Sequence, residues 1–226
     1  CAAIIPGDFQ GTGAPGFVRL EGSSTNSAVT VKSAWLMGAG PRGLLTSVSN
    51  GLGGRLYWSY TTLPKGLGTS YFKELPSNGT ALTVVSALPV VTSVESVVEW
   101  SQSANRGHVG HRRTDYSYGS ARVERNGRGF VGFNWMQSKE ADTGLTARTY
   151  FHQTFPYIGM PYWIGRGKGV GVSGWRDLSY QEIYSACVPV VGNDPCPVAA
   201  GNRYFPYAEH VHTQSWDIDG TALPRK

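Results

Sequence analysis

The chain has 226 residues, 40% of them hydrophobic and only 15% charged, against roughly 25% charged in typical soluble domains. Its 30 glycines and its 12% aromatic content exclude a disordered chain, which lacks aromatics and carries dense charge, and glycines without a three-residue period exclude a collagen-like one. The net charge of +5, from 20 basic and 15 acidic residues, is modest, and no apolar run nears the roughly 18–20 residues of a membrane helix: the best stretch, 81–91, is interrupted by Ser86 and Pro89.

The elements in chain order have the period of strands. The chain opens on Cys1 with neither a methionine nor a signal-peptide core, which reads as a processed chain or a piece of a longer one; a lipid anchor on Cys1 would need a lipobox that is not visible. Residues 6–16 have the shape of a calcium loop, with oxygen donors at Asp8, Gln10 and Thr12. Only Asp8 is a carboxylate, so a degenerate, metal-free loop is expected. The first 40 residues or so differ in kind from the rest. A glycine cluster, Asn50-Gly51-Leu52-Gly53-Gly54, then introduces a β-rich stretch at 55–62. Residues 82–88 predict a strand that stops before Pro89, and 90–100 predict another. Further strands are expected at 114–118, 121–125 and 130–136, with turns at Gly119-Ser120 and at Asn126-Gly127-Arg128-Gly129. Asn-Gly supplies the positive φ of a primed hairpin turn. Residues 145–152 pair with the preceding strand across 141–144. A weak helix-like window occupies 179–186, and the economical reading is an all-β, antiparallel β-hairpin meander.

Candidate chemistry is sparse. Arg106, Arg112, Arg113, Arg122, Arg125 and Arg128 cluster in one stretch. They suit an anionic surface, but more simply decorate the solvent edges of strands, and no motif places a helix in a nucleic-acid groove. Cys187 and Cys196 flank two prolines and a Gly-Asn-Asp turn, so a structural disulfide is favoured over two free thiols; such a loop would stabilise by roughly 2–3 kcal/mol. His108 with His111, and His210 with His212 beside Glu209, could each seed a zinc site, but spacing identifies no third ligand. On a strand His210 and His212 would share a face and Glu209 would point away. Asp217 and Asp219 could form a carboxylate pair, although Asp219-Gly220 is also an ordinary turn signal. No nucleophile elbow or phosphate loop is present, so neither an enzyme nor a cofactor is expected.

Three stretches carry a resemblance. Tyr116-Ser117-Tyr118-Gly119-Ser120 is followed by Gly127-Arg128-Gly129-Phe130-Val131-Gly132-Phe133. Tyr150 leads through Pro156 to Pro161, and Tyr204-Phe205-Pro206-Tyr207 runs on to Trp216-Asp217-Ile218-Asp219-Gly220. Together they resemble the bacterial RHS/YD-repeat proteins and their relatives, the SpvB-like proteins and insecticidal toxin-complex B-components. Residues 7–13 are similar to the end of an FG-GAP/VCBS propeller repeat that lacks its further aspartates.

The resemblance implies two parts: residues 1–45 as a degenerate propeller-like β segment, and residues 46–226 as part of a curved RHS-type shell. It implies a non-catalytic structural segment whose partners are the remainder of a parent chain and an enclosed toxin cargo, in a secreted or surface-bound bacterial protein. Repeat units bury their apolar faces by stacking on neighbours, so self-association through strand edges is expected of the isolated segment. The competing expectation is a glycan- or partner-binding module that exposes Trp135, Tyr157, Tyr162, Trp163 and Trp175.

Overall fold

A computed structural model of the chain describes residues 2–8, 16–22, 29–35, 43–74, 81–84, 86–100, 108–125, 127–168, 176–188, 190–191, 194–195, 205–217 and 219–226. Its strands are β1 (Ala2–Gly7), β2 (Gly16–Gly22), β3 (Val29–Trp35), β4 (Ser47–Ser49), β5 (Gly54–Thr62), β6 (Tyr71–Phe72), β7 (Ala81–Thr83), β8 (Pro89–Trp100) and β9 (His108–Gly119). They continue as β10 (Arg122–Glu124), β11 (Gly129–Gly132), β12 (Trp135–Glu140), β13 (Leu145–Phe151), β14 (Pro161–Lys168), β15 (Arg176–Val188), β16 (Val190–Val191), β17 (Asp194–Pro195) and β18 (Phe205–Ser215). No helix occurs among the described residues. The fold is all-β and every strand pairing with a determined register is antiparallel.

The chain divides into two compact units, 1–71 with 85–110, and 72–84 with 111–226. In the first, β1, β2 and β3 form a meander, and β5 pairs with both β4 and β8. The β4–β5 turn forms where the Asn-Gly-rich cluster predicts it. The Asn50 side-chain oxygen accepts from the amides of Leu52 (2.8 Å) and Gly54 (2.9 Å), while Gly51 and Gly53 take positive φ. Among the described residues of this unit, the buried side chains are Thr62, Leu63, Tyr71, Val90 and Ser93.

In the second unit, β12 pairs with β9 and β13, β14 follows β13, β15 follows β14, and β18 closes the series. A small sheet, β7–β10–β11, leaves the path between β9 and β12. The β12–β13 hairpin is the one expected for 145–152, with Gly144 at φ +68 in the turn.

Three readings of the sequence are corrected. Residues 130–136 are two strands rather than one. Gly132 turns the chain at φ +90, and the Asn134 amide donates to the carbonyls of Gly119 (2.9 Å) and Ser120 (3.3 Å). The helix-like window at 179–186 lies inside β15, because β14 and β18 supply hydrogen-bonding partners on both sides, which outweighs a marginal local preference. The strand expected over 82–88 is confined to Ala81–Thr83, and β8 begins at Pro89 itself, where a missing amide is tolerated at the first position of a strand.

Candidate functional site

Alternation along β12, β13, β14 and β15 gathers aromatic side chains on one face of the second unit, since residues opposite in register share a face. Trp135 lies opposite Gly119 and Tyr150; Tyr150 lies opposite Trp163. The rings run on as a series: Tyr150 meets Trp163 edge-on at 5.6 Å, Trp163 stacks on Tyr180 at 6.3 Å, and Tyr180 meets Trp216 at 5.6 Å.

Two glycines form the floor of this face. A Cβ on Gly119 would lie 2.0 Å from the Trp135 indole nitrogen, and one on Gly165 would lie 2.0 Å from the Trp163 ring. Each indole therefore lies flat where any side chain would lift it. Trp135 is buried, and the Arg148 guanidinium sits 4.7 Å from its ring. Arg148 is itself held by Gln137 (2.9 and 2.6 Å) and donates to the Tyr150 hydroxyl (3.3 Å).

A polar clip fastens the small sheet at the end of β9. Ser120 is fully buried at φ +50, a conformation that L residues adopt only when their surroundings insist. Its amide donates to the Phe72 carbonyl (2.9 Å) and its hydroxyl to Glu74 (2.9 Å). The Gln153 amide donates to both the Ser120 and Gly132 carbonyls at 2.8 Å. The Trp135 indole N–H reaches Glu74 at 3.4 Å. Sequence reasoning sees the Gly119-Ser120 turn but misses Glu74 and Gln153, whose partners lie tens of residues away.

The expected motif residues separate into two groups. Tyr116 and Tyr118 alternate on β9; burial, and then the neighbouring Tyr116, push the Tyr118 phenol up to about 12. Tyr118 packs on Phe133 (4.9 Å), which Phe130 meets edge-on. Gly127, Gly129 and Gly132 all take positive φ. Arg128 pairs with Glu124 at 3.0 Å and lies 4.1 Å over the Phe155 ring, so this motif arginine staples the β10–β11 hairpin to the segment preceding Pro156. That segment returns to β14 at Pro161, and His152 packs there against Tyr157 and Tyr162; burial lowers its pKa and raises that of Tyr162. Pro206 and Tyr207 lie on β18 opposite Cys187 and Ala186, while Tyr204 lies outside the described residues.

Asp217 and Asp219 take part in a turn. The Gly220 amide donates to the Asp217 carbonyl, Asp219 accepts from the Thr221 amide at 2.7 Å, and Gly220 has φ +92. His210 and His212 share a face as expected, with rings 5.2 Å apart. A bulge between Tyr184 and Ser185 leaves Glu209 without a cross-strand partner, and its carboxylate lies 3.7 Å from His210 rather than pointing away. Among the described residues no group of three metal-ligating side chains is assembled. Gln10, Thr12, Arg106, Asn126, Trp175 and Cys196 lie outside the described residues. Cys187 is fully buried. Arg112 faces Glu140 at 3.9 Å and Arg113 pairs with Asp115 at 2.8 Å, so these two arginines, like Arg128, stand beside acids.

The described residues thus form antiparallel β-hairpins with aromatic rings laid on glycine floors. The chain belongs to the family described as the insecticide toxin TcdB middle/N-terminal region, whose family model matches residues 4–159. Solved structures share the fold. The TcdB2–TccC3–Cdc42 crystal structure matches 99% of this chain with a TM-score of 0.61 at 9% identity. The Photorhabdus luminescens Tc holotoxin pore with a TccC3 variant matches 96%, with a TM-score of 0.63 at 9% identity. TcdB2–TccC3 matches 99%, with a TM-score of 0.56 at 10% identity. This chain spans only 14%, 12% and 14% of those chains. No curated protein is significantly similar to it.

Proposed function

We propose that the chain is a non-catalytic wall segment of a secreted toxin-complex polypeptide, contributing β-hairpins to a shell around a cargo domain. The observation that supports this best is that nearly the whole chain superimposes on a small part of much longer toxin-complex chains. The sheet chemistry supports the same reading. Aromatics seated on Gly119 and Gly165 build a thin, stiff layer with nothing projecting where the indoles lie, which suits a wall better than a pocket. The parent chain and its cargo are then the partners, and residues 1–45 are the propeller-like segment that leads into the wall at 46–226. The RHS/YD-repeat character is assigned to the Tyr116–Phe133 motif residues and to Tyr204 through Gly220, and a disulfide is assigned to Cys187 and Cys196. The four described aromatics of the glycan-binding alternative do not form one open row: Trp135 is buried, and Tyr157, Tyr162 and Trp163 are half-buried among other rings.

Limited proteolysis of the full-length parent polypeptide tests the proposal. The cargo should survive protease that digests the same cargo expressed alone, and Gly165→Val should make it cleavable. Cargo digested at equal rates inside the native parent and alone would overturn the reading.

A further inference from the structure

The outer edge of β18 is partly covered by residues 222–226. Thr213 and Lys226 exchange backbone hydrogen bonds at 2.9 and 3.1 Å, and the Leu223 amide donates to the Ser215 carbonyl at 2.8 Å. The Gln214 side chain adds a bond to the Leu223 carbonyl at 2.7 Å. Towards its start the same strand leaves Phe205, Tyr207 and Val211 exposed.

One ion pair ties the covering segment across β18 to β15: an Arg225 guanidinium nitrogen on Glu182. Glu182 stands directly opposite His212 in the β15–β18 register, a separation of about 4.5–5.5 Å between Cβ atoms. The His212 Nδ1 atom is buried without a hydrogen-bond partner in the structure. His212 therefore faces a carboxylate whose charge is already taken by Arg225. The other groups around it are His210, Tyr184 at 5.2 Å and Glu209 beside His210; β14 contributes the neutral Trp163 opposite Glu182, and Lys226, paired with Thr213, takes the other face of the sheet.

We propose that the ladder between β18 and residues 222–226 is an acid-labile latch, in which protonated His212 competes with Arg225 for the Glu182 carboxylate. With Arg225 docked, Glu182 is neutralised and a proton on His212 gains little. With Arg225 withdrawn, the imidazolium faces an uncompensated carboxylate. His212 thus binds a proton more tightly in the released state, and by linkage acid favours release. Glu209 and Tyr184 stay beside the histidines in both states and do not alter the balance. Release would bare the amides and carbonyls of β18 at Thr213 and Ser215, making a strand edge available on acidification. This inference is independent of the wall reading, since it depends only on contacts within one unit.

Amide hydrogen exchange of this chain, corrected for the intrinsic effect of pH, is the test. Between about pH 7.5 and about pH 5.5, protection of Thr213, Leu223 and Lys226 should fall about fivefold. Protection of Thr149 in β13 should hold. His212→Gln should retain its protection at the lower pH, His210→Gln should still respond, and Arg225→Gln should be weakly protected at both. Native protection that does not change with pH, an unaltered loss in His212→Gln, or an equal loss at Thr149 would each overturn the latch.

Discussion

Strands β12–β14 and the outer strand β18 belong to the same unit and are held in different ways. The inner strands are fastened by close approach: Trp135 rests on Gly119, Trp163 rests on Gly165, and Arg148 caps the first indole. The outer strand pairs with β15 along its length, keeps Phe205, Tyr207 and Val211 exposed, carries a bulge at Glu209, and has its outer edge covered by one ladder and one ion pair at its far end. The difference shows where this fold tolerates change. A single methyl group is ruinous beneath the indoles, whereas the edge holds its place by replaceable polar contacts.

The sharpest way to break the comparison is Gly119→Ala. Its Cβ would collide with Trp135, and loss of that buried indole contact should cost about 3–5 kcal/mol in chemical denaturation. Combined with Trp135→Ala the costs should be well under additive, because both changes remove one contact. A fully additive pair would mean that the glycine floor is irrelevant.

Next in size is the proposed Cys187–Cys196 bridge at the far end of β15. Reduction, or Cys187→Ala, should lower stability by about 2–3 kcal/mol, and the intact mass should rise by two hydrogens on reduction. Thiols that react fully with alkylating agent in the folded, unreduced protein would remove the bridge.

Gln153→Ala comes third. It leaves the Gly132 carbonyl without its side-chain donor and takes one of two donors from Ser120, for about 1–3 kcal/mol. The loss should concentrate in the β7–β10–β11 sheet, seen as faster exchange at Val84, whose amide bonds to Ala121.

The smallest effect concerns pH. Burial holds the His152 pKa below its ordinary 6.5, so the unfolded chain takes up the proton first. The contribution of the neutral ring is complete above about pH 6.5 and is lost as pH falls below it. Thermal midpoints measured downward from pH 7 should decline, and His152→Gln should flatten that slope.

Much of the fold is legible from local pattern. The Asn50–Gly54 turn, the Gly127 hairpin and the β12–β13 pairing follow from glycine placement and two-residue alternation. Part of the site is legible too: Trp163 and Gly165, two apart on one strand, must share a face. The register that sets Trp135 against Gly119 joins residues on strands separated by a whole hairpin, and no local pattern states it. The break at Phe133 has no local signal, because Asn134 bonds back to Gly119 and Ser120, and the helix-like 179–186 is a strand because both of its edges are filled by distant strands.

Neighbouring residues set the period-two β character and the positions of the glycine turns, because alternation and positive φ are local properties of the chain. Tertiary structure alone decided which indole lies on which glycine, that Ser120 is held at positive φ by Phe72, Glu74 and Gln153, and that Glu182 is shared between Arg225 and the face of His212. Those outcomes depend on register, and register is settled by the sum of contacts along paired strands.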